Sequence, residues 1–186
     1  MRTTWMLGFT MSLLLNSNIE ALELGGNLPP LSVKSPGEIH IDGKEVFYKP
    51  WNSMQMERKP HVLQHIAGTM KASKINKSFQ DALNDSTLDR DHFEVVSVVD
   101  LKQSMWGTRG FVKKELVKNK KKYMGSSIIA DERGQGLEAW GLKEKGHAVI
   151  VLNGIGEIKY VKDGKLSDEE INSVLELLKS LIANAP

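Results

Sequence analysis

Residues 148–182 read AVIVLNGIGEIKYVKDGKLSDEEINSVLELLKSLI, and this stretch decides the fold. Ala148 to Leu152 is an unbroken apolar run, the composition of a strand covered on both faces. Asn153-Gly154 begins a turn, and Glu157 to Val161 returns as a second strand. Ser167-Asp168-Glu169-Glu170 is then a capping box: the Ser167 hydroxyl accepts from the third helical amide while Glu170 reaches back. Ile171, Val174, Leu175, Leu178, Leu181 and Ile182 follow at spacings of three and four, which gives one apolar helix face. The chain therefore closes with a strand, a strand and a helix.

Working outward from there, Phe93 to Val99 reads Phe-Glu-Val-Val-Ser-Val-Val, again a central strand. Val62 to Ile66 has strand composition and leads into Ala67-Gly68. Ile75, Phe79 and Leu83, spaced by four, predict a helix over 73–84. Phe111 to Tyr123 is a further helix, Ser127 to Ala130 a short strand, and Gly136 to Trp140 a helical turn. Nearer the start, Ile39 and Ile41 alternate with polar neighbours, and Asp42-Gly43 then turns the chain into Val46-Phe47-Tyr48, a hairpin. Gly25-Gly26 and Pro29-Pro30 make residues 22–36 an extended lead-in, and Trp51 to Met56 reads as a short helical connection. A hairpin followed by β-α-β-α-β, a second hairpin and a final helix is a layered α/β domain with helices on both faces of its sheet.

The chain has 186 residues, a net charge of +2, 40% apolar residues, 26% charged residues and no cysteine. Its length suits one domain that buries about 70% of the surface its unfolded form exposes. Without cysteine, a disulfide scaffold, a thiolate zinc site, an iron–sulfur centre and redox chemistry on the chain's own thiols are excluded. Arg2, the uncharged apolar stretch Trp5 to Leu15 and the polar segment ending at Ala21 read as a signal peptide cut after Ala21. That apolar stretch is far shorter than the roughly 20 residues that cross a bilayer. The expected mature protein is residues 22–186, a single exported domain in the periplasm.

Lys113, Lys114, Lys118, Lys120, Lys121 and Lys122 stand against one acid, Glu115, and put a basic surface on the predicted helix. The plainer reading is a solvated face; the sharper one is a weak contact with an anionic surface. No aromatic residue interleaves with these lysines and no nucleic-acid motif accompanies them, so nucleic acid is not the expected partner.

The order of elements resembles the thioredoxin-like fold of exported TlpA-like proteins and peroxiredoxins. LGGNLPPLSV (24–33) is similar to their lead-in, VLQHIAG (62–68) to the strand that enters their active-site loop, and 148–178 to their last hairpin and helix. More closely, Trp51-Asn52, VLQHIAG and Val149 to Glu170 resemble the YtfJ-type family of exported proteins, a resemblance that implies a fold and no established activity. In the register of working thioredoxins the two cysteine positions hold Met70 and Ser73, and a peroxiredoxin register puts Ala72 at the reactive position. Thiol–disulfide exchange and peroxidase chemistry need a thiolate there, so neither is expected. The proline that such folds carry before the penultimate strand is replaced near His147 and Ala148.

That resemblance implies a groove around His65, Thr69, Met70, Lys71, Ser73 and His147. The expectation is a non-enzymatic binding or adaptor domain that docks a peptide or partner protein there through backbone hydrogen bonds. The alternative is a thiol-independent enzyme or a small-ligand or metal site built on a His65–His147 pair with Thr69 or Ser73. The plain reading of that pair makes His65 a hydrogen-bonded strand residue and His147 an exposed loop residue. No third metal ligand is evident, and no cofactor is expected. Trp106, in SMWGTRG with Arg109, is expected to pack on the core as large aromatics do, with ligand anchoring as the other use.

Overall fold

The computed structural model describes residues 22–56 and 58–184, so the signal-peptide reading of residues 1–21 lies outside the described residues. Seven strands form one mixed sheet: β1 (Ser32–Asp42), β2 (Glu45–Asn52), β3 (His61–Ala67), β4 (Glu94–Asp100), β5 (Ser127–Asp131), β6 (His147–Leu152) and β7 (Ile158–Asp163). Their order across the sheet is β2-β1-β5-β4-β3-β6-β7. β3, β4 and β5 run parallel to one another, while β6 pairs antiparallel with β3 and β1 antiparallel with β5. The helices are α1 (Met70–Ile75), α2 (Lys77–Asp85), α3 (Arg109–Lys122), α4 (Gln135–Ala139) and α5 (Asp168–Ala183).

β3 is buried along its whole length because it lies at the centre and both faces are covered. On one face Leu63, Val96, Val98, Ile129 and Ile150 pack under Leu31 of the lead-in and under Trp140, which follows α4. On the other face Val62, Val149 and Val151 meet Phe79 and Leu83 of α2 and Val174 and Leu178 of α5. Beside them Ile66, Val99, Ile128 and Ala130 meet Ala72 of α1 and Leu116 of α3. Each fully buried Val, Leu or Ile side chain among them contributes about 1.5–3 kcal/mol relative to exposure. The Ser167 capping box forms as the sequence predicts, with both reciprocal bonds present.

Two local readings are corrected. The single helix expected over 73–84 is two helices that meet at Asn76, a buried residue with φ −111° and ψ 32°. Its side chain holds remote backbone: Nδ2 donates to the carbonyls of Gly164 (2.9 Å) and His147 (3.3 Å), and Oδ1 accepts from the Leu166 amide (2.9 Å). The first hairpin turns on Gly43-Lys44, because Asp42 and Glu45 still pair across the strands.

Candidate functional site

The parallel strands β3, β4 and β5 end together at Ala67, Asp100 and Asp131, and antiparallel β6 starts at the same end with His147. In an α/β sheet this is where loops converge to form sites. Gly68 lets the two central loops meet. Its N–H donates to the Asp100 carbonyl at 2.8 Å, and a Cβ there would stand 2.5 Å from Ser104 Oγ.

At the start of α1 the polar side chains have local roles. Thr69 caps the helix, its hydroxyl accepting from the Ala72 amide at 3.1 Å, and the Ser73 hydroxyl donates to the Met70 carbonyl at 3.0 Å. The Met70 side chain points out and is 62% exposed, and Lys71 and Ser73 are exposed beside it.

Two buried polar clusters lie beneath, on opposite faces of the sheet. His65 pairs with Ala148 across β3–β6, and Ile66 pairs with His147, so the alternation of a strand sends the two histidines to opposite faces. The His65–His147 pair of the alternative reading is therefore not formed. His65 packs edge-on against Trp140 and lies so close to Gly136 that a Cβ there would be 3.0 Å from its ring. Its Nε2 has no hydrogen-bond partner among the described residues, and burial pushes its pKa down to about 4, opposed by the charges of Asp100 and Asp163. His147 is fully buried, not an exposed loop residue, and its Nε2 meets Gln64 Oε1 at 3.0 Å, an oxygen that also accepts from Gln80. Burial likewise lowers its pKa to about 4, opposed by the Ala72 backbone and helped by His65. Both imidazoles are neutral core groups at neutral pH.

The sequence reading passed over two buried aspartates on the His65 face. Asp100 accepts from the Lys102 amide (2.9 Å) and from Gln103 Nε2 (2.7 Å). Asp131 accepts from the amides of Arg133, Gly134 and Gly136 at 2.8–3.1 Å. Burial raises the Asp131 pKa, and the Asp100 charge adds to the rise against those backbone bonds. Each carboxylate shapes the loop that follows its strand, and an aspartate ending an apolar strand before a turn is the signal that announces this role. Among the described residues no group of three or more His, Asp or Glu side chains is arranged to hold a metal ion.

Part of the backbone expected to dock an extended peptide is already used, in the segment that leads into β6. The Lys145 amide donates to Gln103 Oε1, and the Gly146 carbonyl accepts from the Ala67 amide at 3.0 Å. The His147 carbonyl accepts from the amides of Gly164 and of the Asn76 side chain.

What this end of the molecule offers is side chains. Met105 to Thr108 is a tight turn closed by the Thr108 amide on the Met105 carbonyl at 3.0 Å, with Gly107 at φ +76° supplying the left-handed position. Trp106 sits at its tip and is 100% exposed, in place of the core packing expected of it. Met105 is 71% exposed, and Arg109 joins these residues around a shallow depression. The lysines are not one solvated face. Lys120 is buried, with Nζ on the carbonyls of Met124 (3.1 Å) and Ser126 (2.6 Å), and Lys113 pairs with Glu132 at 2.6 Å. Lys114, Lys118, Lys121 and Lys122 remain on the surface.

The architecture defines a thioredoxin-like α/β domain, in a chain without cysteine. A putative thiol:disulfide interchange protein, DsbE, from Chlorobium tepidum matches with a TM-score of 0.59 at 14% identity over 87% of this chain and 99% of that one. AhpC of Mycobacterium bovis matches with a TM-score of 0.58 at 17% identity, over 87% and 93% of the two chains. At such identities the likeness is one of fold. Residues 22–181 match the family described as "Bacterial protein of unknown function (YtfJ_HI0045)", and the chain belongs to that family. "Uncharacterized protein YtfJ" of Escherichia coli (strain K12) is 37% identical over 160 residues, covering 86% of this chain and 87% of that one. An "Uncharacterized protein" of Haemophilus influenzae is 34% identical over the same length. No helix among the described residues is long and apolar enough to cross a membrane.

Proposed function

We propose that this protein is an exported, non-enzymatic binding domain that docks a partner protein at the end of the sheet where thioredoxins carry their thiols. The observation that carries the reading is Trp106, fully exposed on a turn beside Met105, with Met70 exposed at the start of α1. Leaving a tryptophan in water forgoes the burial of 150–250 Å², and such residues serve as interface anchors. The docking works chiefly through these side chains, because the backbone leading into β6 is bonded within the fold. The export part of the reading rests on the charge, apolar stretch and small residue of 1–21. A nucleophilic mechanism finds no support: Thr69 caps α1, Ser73 donates to the Met70 carbonyl within it, and neither histidine faces the other.

The test is photo-crosslinking in cells from position 106, with position 155 as the comparison. Ile155 is 71% exposed on the β6–β7 turn at the opposite end of the sheet. A discrete protein adduct from 106 and none from 155 supports the reading. Equal patterns from both positions, or none from 106, overturn it.

A further inference from the structure

The partner's chemistry is written along α3. Phe111, Lys114, Lys118 and Lys121 are all exposed. At 100° per residue they fall within about an 80° arc, and at 1.5 Å per residue the row runs about 15 Å from Phe111 to Lys121. Phe111 is 54% exposed and stands two residues from Arg109, so the row begins beside the Trp106 turn. Lys118 has only a loose contact with Glu115, 3.7 Å, with its own side chain 76% exposed. Lys114 and Lys121 form no ion pair among the described residues, whereas Lys113 and Lys120 on the inner side are satisfied within the fold. An apolar knob thus opens onto a cationic track whose only acidic contact among the described residues is the loose one from Glu115 to Lys118.

We infer that the occupant is an acidic, extended segment of a partner protein, in which an apolar residue packs on Met105, Trp106 and Phe111 and acidic residues at alternate positions lie along Lys114, Lys118 and Lys121. This rests on the docking reading above. In an extended chain, residues two apart point the same way at about 6.6 Å spacing, and a 15 Å track takes about five residues. Lys114 and Lys118 are separated by about 6 Å along the helix axis, a match for alternate acids. Track and segment carry opposite charge, which steers the encounter and fixes the direction in which the segment lies.

The test uses the purified protein and a fluorescein-labelled 12-residue peptide with one leucine followed by glutamates at alternate positions. A glutamine version of the peptide and vesicles of 70% phosphatidylcholine and 30% phosphatidylglycerol serve as comparisons. Anisotropy should show binding of the glutamate peptide that exceeds the glutamine peptide and falls at least tenfold in K114E/K118E/K121E, since each exposed pair contributes up to about fivefold and reversal adds repulsion. W106A should weaken the same peptide, and raised salt should weaken it too. All three lysines are exposed, so the triple variant should keep a cooperative melting transition, lowered by a few degrees at most by the acid set at the C-terminal end of α3, and that transition is the check that it is folded. No binding of the glutamate peptide, equal binding by the triple variant, or tighter attachment to the vesicles than to the peptide overturns the inference. The adduct from position 106 in cells separates the two readings. If it persists undiminished in the triple variant, the acidic track fails and docking stands; if no adduct forms in the wild type, docking itself fails.

Discussion

Replacing Asn76 by alanine removes three hydrogen bonds that tie the α1–α2 junction to β6 and to the turn before α5. The partners do not suffer equally. The His147 carbonyl keeps the Gly164 amide at 3.1 Å, and the Gly164 carbonyl is only partly buried. The Leu166 amide, in a bond buried on both sides, loses its acceptor. An unsatisfied buried amide costs about 1–3 kcal/mol, and the two donor bonds add roughly 1 kcal/mol each where water does not replace them. The expected loss is therefore about 3 kcal/mol. In a domain of this size 1 kcal/mol moves the melting temperature by about 2–4 °C, so N76A should melt roughly 6–12 °C below the wild type. Thermal unfolding followed by far-UV circular dichroism reads this directly, with a urea titration at 25 °C as a second measure. N76D separates geometry from chemistry: it keeps the acceptor but sets a carboxylate oxygen against two carbonyls, and it should lose at least as much. A shift of less than 2 °C in N76A would refute the view that this one side chain fastens the two helices to the sheet.

Stability should fall as the medium is acidified from pH 6.5 to pH 4. His65 and His147 titrate near 4 in the fold because of burial, against 6.5 when free, so the unfolded chain binds more protons throughout that window. The loss approaches about 3 kcal/mol per histidine at its acid end, while Asp131, raised by burial, works in the opposite sense there. Melting temperatures from pH 8 to pH 4 should show the slope, and it should be shallower in H147Q. The variant M70C/S73C, treated with oxidised glutathione as the two-electron acceptor, should close an intramolecular disulfide, read by alkylation and mass, because residues three apart in a helical turn lie within the Cα separation that a disulfide spans. Gly136→Ala should cost about 1–3 kcal/mol by overpacking, since its Cβ would stand 3.0 Å from the His65 ring, which is held against Trp140; a wild-type melting curve would contradict that packing.

The sequence carried the fold where chemistry is local. Runs such as Val-Val-Ser-Val-Val and Ala-Val-Ile-Val-Leu become central strands because only a covered sheet accepts apolar residues on both faces. The Ser167 to Glu170 box starts a helix because its bonds close within four residues. Features decided by distant partners were not legible. Asn76 breaks a helix of good periodicity because its amide serves backbone 71 to 90 residues away. Lys120 lies inward because the Met124 and Ser126 carbonyls need a donor at the end of α3. The two histidines could be placed at the same end of the sheet, but not on a face, until the register of β3 against β6 was known. Trp106 ran against its hydrophobicity, since the Met105–Thr108 turn lifts it off the core. That departure from the packing expected of a large aromatic is where the functional reading begins.

Met70, at the start of α1, and Trp106, on the Met105–Thr108 turn, are proposed to belong to one docking surface. The most direct measurement is photo-crosslinking in cells from position 70, in the wild-type chain and in W106A. Trp106 is fully exposed, so its removal should leave the fold intact. The account predicts that position 70 captures the same protein as position 106 and that the adduct is lost or greatly reduced in W106A. A different adduct from position 70, or one that W106A leaves unchanged, would contradict it.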